Sequence, residues 1–145
     1  MVEVGTAPLT DLETSFGLLR GAARGDIAAQ RALADQSVSL VRNRPDLDPV
    51  WLLNDGLIFA RMAAVQGNVH DEGRVIAMLV LVGDYCDEPG ADQDGSPFIA
   101  EAIARISRMA DQGVDLADVT LGKAADNATP DIMAMAKDYE RALLA

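Results

Sequence analysis

The sequence predicts an all-α fold, and three observations carry that expectation. Period-two alternation of apolar and polar residues is absent, alanine supplies about one residue in six, and apolar residues recur at helical spacing between well-marked ends. Only six side chains are aromatic, whereas strands favour more β-branched and aromatic residues. Start and stop signals divide the 145 residues into about seven helices, expected as antiparallel helical hairpins in a single domain over 1–145.

The elements follow in order. Thr10-Asp11-Leu12-Glu13 reads as a capping box, in which the Thr10 hydroxyl accepts from the Glu13 amide while Glu13 reaches back. The stripe of this first helix is Leu9, Leu12, Phe16, Leu19 and Ala23, and residues 1–8 are expected to be a flexible N-terminus. Gly25-Asp26 closes it and caps a second helix, where Ala29, Leu33 and Leu40 share a face with Ile27, Val38 and Val41 nearby. Arg44-Pro45-Asp46-Leu47-Asp48-Pro49 is a loop, because its prolines lack amides that a helix needs. Asp48 then caps a third helix with Pro49 at its first position.

That helix carries Trp51, Leu52, Ile58, Phe59 and Met62 and stops at Gly67-Asn68. Trp51 is expected to be a half-buried core aromatic, the alternative being an exposed anchor for a partner. A fourth helix, about Asp71 to Asp87, is apolar nearly all round and is expected to be the most buried. After the loop 88–95, Ser96-Pro97 repeats the cap-then-proline start, and Ile99, Ile103, Ile106 and Met109 line a fifth helix that Gly113 ends. A shorter sixth covers about Leu116 to Asp126. Thr129-Pro130-Asp131 opens the last, with Ile132, Met135, Ala136, Tyr139 and Leu143 on its face.

Three helix ends rhyme: Ala22-Ala23-Arg24-Gly25-Asp26, Ala64-Val65-Gln66-Gly67-Asn68 and Ala110-Asp111-Gln112-Gly113-Val114. The intervals between their glycines fall in the range of helical-hairpin repeats, and glycine in the left-handed conformation closes a helix. The run Ala22-Ala23-Arg24-Gly25-Asp26-Ile27-Ala28-Ala29-Gln30-Arg31-Ala32-Leu33-Ala34 resembles the core of the Sel-one-like repeat, a relative of the tetratricopeptide repeat. A second copy is similar at Ala63-Ala64-Val65-Gln66-Gly67-Asn68 and Leu81-Val82-Gly83-Asp84-Tyr85, and a third keeps Ala110-Asp111-Gln112-Gly113 and Leu121-Gly122. Ala34 and Gly73-Arg74 depart from the pattern. The resemblance implies a short repeat superhelix serving as an adaptor or scaffold. An irregular helical bundle is the alternative architecture.

Charge narrows the partners. Twelve basic against 23 acidic residues leave a net charge of −11, which opposes direct contact with nucleic acid phosphates or an anionic membrane surface. The expected partner is another protein with a basic or mixed-charge surface, and homo-oligomerisation through an exposed apolar patch is the second possibility. The apolar run Val75–Gly83 is too short to span a bilayer, and Met1-Val2-Glu3-Val4-Gly5 does not read as a signal peptide. With one cysteine, Cys86, a cytoplasmic setting is expected.

No catalytic, cofactor-binding or metal-ligating constellation stands out, so neither an enzyme nor a cofactor is expected. His70 beside Asp71 and Glu72 reads as part of a capping cluster rather than an oriented base. Cys86 reads as a core residue, about four helical turns from His70. Asp84, Asp87, Glu88, Asp92 and Asp94 make an acidic stretch. With Gly95 placed at position six of a calcium loop, Asp92, Asp94 and Glu101 fall on ligand positions, but Gly90 occupies the first and offers no carboxylate. The methionines, including Met133 and Met135, read as core filler.

Overall fold

Acceptor side chains mark where the helices begin. In a computed structural model of the chain, which describes residues 16–88, 90–91, 94–114 and 129–144, all described regular structure is helical. α1 covers residues 16–23. Asp26 Oδ1 then accepts from the Ala28 and Ala29 amides and opens α2, Ile27–Asn43. Asp48 accepts from the Val50 amide at 3.0 Å and opens α3, Pro49–Gln66. Both starts follow the sequence signals.

The other starts shift slightly. α4 runs Val69–Cys86, two residues ahead of the expected start, because Asn68 and Asp71 form a reciprocal cap. α5, Ser96–Asp111, includes Ser96 as its first residue instead of using it as the cap. Its cap is Gly95, which has no side chain to contribute, while Asp94 Oδ1 accepts from the Ser96 amide at 2.9 Å. α6 is Pro130–Leu144, where Thr129 accepts from the Ile132 amide. The Thr10 capping box, Leu9 and Leu12, the expected flexible N-terminus 1–8, the helix Leu116–Asp126, and Asp92 lie outside the described residues.

The helices stack in chain order: α2 on α3, α3 on α4, α4 on α5, and α5 on α6. Antiparallel placement of α2 and α3 is visible where the last residue of α3 meets the start of α2: Gln66 Nε2 donates to the Gly25 carbonyl and to Gln30 Oε1. α4 lies between α3 and α5 and buries residues along most of its circumference, as expected from its composition. Leu53, Leu57, Ile76 and Leu79 fill the centre of the stack. α3 approaches α2 closely at Gly56, where any Cβ would press on Ser37 and on the Met78 methyl.

Two expectations about local geometry are corrected. Of the three rhyming glycines, Gly25 and Gly113 take positive φ, but Gly67 has φ −94°. Gly67 is small for another reason: a Cβ there would overlap the Asp71 carboxylate and the Ala63 carbonyl. In α1 the stripe Phe16, Leu19 and Ala23 does not face the core. Leu18 and Ala22 turn inward instead, beside Ala29, Leu33 and Phe59.

Candidate interaction surface

The outer face of α3 is held in place by charged side chains that reach past adjacent helices. Arg31 on α2 grips Asp71 on α4 with two bonds of 2.7 Å, from Nε and Nη2. Arg74 adds a bond to Asp71 at 3.2 Å and reaches Asp35 on α2 at 2.9 Å. One helix further on, Arg61 on α3 grips Glu101 on α5 through Nε at 3.0 Å and Nη2 at 2.6 Å. Arg105 joins Glu101 to Glu72 on α4, at 2.9 and 2.8 Å. Planar guanidinium–carboxylate pairs of this kind fix direction as well as distance.

Titration follows from this geometry. The Arg31 guanidinium outweighs the opposing effect of burial and holds the Asp71 carboxyl at about 2. Burial works against the Glu101 charge, yet Arg61 and then Arg105 keep that carboxyl below its usual range. Glu101 and Arg105 are buried and neutralise each other, so removing either leaves the other's charge desolvated, whereas buried Asp71 is neutralised by the partly exposed Arg31 and Arg74. Sequence reading placed Asp71 in a capping cluster, which is correct, but missed Arg31, Arg61 and Arg105. Asp71, Glu101 and Glu72 lie tens of residues from Arg31, Arg61 and Arg105 respectively, where no helical period can show them; only the Glu101–Arg105 pair, one turn apart on α5, was open to that signal.

With α3 so fixed, its faces differ in an unexpected way. Leu53, Leu57, Ala60 and Ala63 point into the stack with no exposed surface. On the opposite side Trp51 is 61% exposed, Ile58 53% and Val65 89%. Met62 is partly exposed and Asp55 exposed on the same side, so positions 51, 55, 58, 62 and 65 form one line in steps of four and three. The expectation that Trp51 is a half-buried core aromatic is therefore corrected. α3 is apolar on both sides, and its inner side already fills the core. Phe16 and Leu19 on α1 add further exposed apolar surface.

The described hollows are less suited to a ligand. One, of about 210 Å³, lies between the α3–α4 turn and the end of α5. It places Arg108 and Gln112 opposite Asn68 and Glu72, but the Glu72 carboxylate is already engaged by Arg105. The volume is also below the roughly 300–1,000 Å³ usual for small-molecule sites. The second is an open furrow of about 410 Å³ along Pro97, Met135, Tyr139 and Ala142.

The residues singled out for chemistry are dispersed. His70 is exposed at the start of α4, its amide donating to Asn68, while Cys86 is buried at the far end of the same helix. Burial first, then the carboxylates of Asp87, Asp94 and Asp48, push the Cys86 thiol up. Asp94 is used as an acceptor for the Ser96 amide, and Glu101 points to Arg61 and Arg105 rather than toward a cation loop. Among the described residues no three His, Cys, Asp or Glu side chains gather in a metal-binding group, and no helix is long and apolar enough to cross a membrane. The chain matches no protein-family model, no curated protein and no solved structure.

Proposed function

We propose that this chain is a non-enzymatic protein–protein interaction module, an acidic helical adaptor or scaffold. The observation that carries this reading is the outward line Trp51, Ile58, Met62 and Val65 on a helix whose opposite side is wholly buried. Large exposed apolar patches on charged proteins mark association sites, and a lone tryptophan among them is a typical anchor. The Sel-one-like resemblance supports a repeat superhelix. So do the chain-order stacking and the recurrence of an Arg–carboxylate pair between alternate helices, at Arg31–Asp71 and Arg61–Glu101. The net charge of −11 favours a basic or mixed-charge partner over phosphate backbones, and the single cysteine favours a cytoplasmic role.

A tagged pull-down from native lysate, washed at low and then high salt, tests the reading. A stoichiometric protein that elutes with salt is the expected result; a bait that recovers nothing and remains a monomer by light scattering refutes it. The second reading is a structural subunit of a homo-oligomer, favoured by the same uncovered line. A light-scattering mass of several chains with no other protein bound selects it.

A further inference from the structure

Spacing on α3 points to a helical partner, and charge narrows its chemistry. We infer that the line Trp51–Ile58–Val65 docks a basic amphipathic helix of a partner protein, with a Lys or Arg opposite Asp55. The inference rests on the interaction-module reading and adds to it the site and the character of the occupant. Apolar residues in steps of four and three match a second helix that carries the same spacing. From Trp51 to Val65 the line is about 21 Å long at 1.5 Å per residue, so roughly four turns of a partner cover it.

Asp55 is the single ionisable side chain on this line. A helix laid across it strips water from the carboxylate, and a desolvated carboxylate needs a cation in contact. Arg61, the one other charged residue of α3, already spends Nε and Nη2 on Glu101. α3 itself therefore supplies no cation to Asp55, and the occupant brings it. A second copy does not supply it: two such lines face to face would desolvate an Asp55 from each chain, with each Arg61 engaged. Two chains of net charge −11 also repel.

Trp51 is the only tryptophan, so its emission reads occupancy directly. The probes are three synthetic helices of about four turns. The first carries Leu in steps of three and four with Lys flanks, the second the same Leu line with Glu flanks, and the third Lys flanks with Ser in place of Leu. The Lys-flanked Leu helix is expected to shift Trp51 emission to the blue and to bind at least tenfold tighter than either control. Ile58→Asp is expected to weaken it at least tenfold with the helical circular dichroism unchanged, and Asp55→Lys to transfer preference to the Glu-flanked helix.

An unmoved Trp51, equal binding of the Ser helix, or no change of preference in Asp55→Lys overturns the inference. A wild-type dimer that Ile58→Asp converts to monomer overturns it in favour of a second copy. If a native partner is captured equally by wild type and Ile58→Asp, the line on α3 is not the site while the interaction-module reading stands.

Discussion

Asp71 joins three jobs in one carboxylate. It accepts from the Asn68 amide, holds Arg31 and Arg74, and occupies the space that Gly67 leaves by lacking a Cβ. Its pKa of about 2 lies below the ordinary 3.8, so the charged form is favoured by folding. That contribution is fully present above about pH 4 and is lost as pH falls through about 2. Acid titration of helicity should therefore show a destabilising step in this window that Asp71→Asn removes. Asp71→Ala is expected to cost about 1–2 kcal/mol in urea denaturation, because it opens the α4 cap. The cap was legible in the sequence, since an acid near a helix start is a local signal. The grip of Arg31 was not, because it depends on how α2 and α4 lie in space.

At the scale of elements, adjacent residues on α3 separate core from surface. Leu57 has no exposed area, and Leu57→Ala should cost about 2–5 kcal/mol. Ile58→Ala, one position along, should stay within about 0.5 kcal/mol by the same urea denaturation. Gly56→Ala should cost about 1–3 kcal/mol, since its Cβ presses on Ser37 across the helix contact. Caps and prolines placed α2 and α3 closely, because Asp26, Asp48 and Pro49 act within one turn. Which side of α3 faces the core was not legible. Trp51, Ile58, Phe59 and Met62 make both sides apolar, and period alone cannot choose between them. α1 misled for a related reason: Phe16 and Leu19 form a regular stripe, but Leu18 and Ala22 fit the narrow gap beside Ala29. In α6, the buried pair Ile132 and Ala136 fell on the expected face, but Met133, expected as core filler, lies exposed among the polar residues of the outer side.

For the whole molecule, stacking in chain order makes stability uneven. α4 is flanked by α3 and α5, whereas α6 rests chiefly on α5. Amide exchange should accordingly be slowest in the middle of α4 and markedly faster along α6. Uniform protection across both helices would mean a single cooperative block rather than a stack. The all-helical class followed from composition and punctuation. The ties between alternate helices required three dimensions.

Cys86 lends this architecture a practical use. Its thiol is buried near the α4 end with its pKa pushed up, so the native chain resists alkylation and air oxidation. A maleimide added at neutral pH should react only with molecules that have opened, making the label a clock for unfolding. Disulfide-linked pairs that accumulate during storage would, by the same logic, count the chains that have lost their fold.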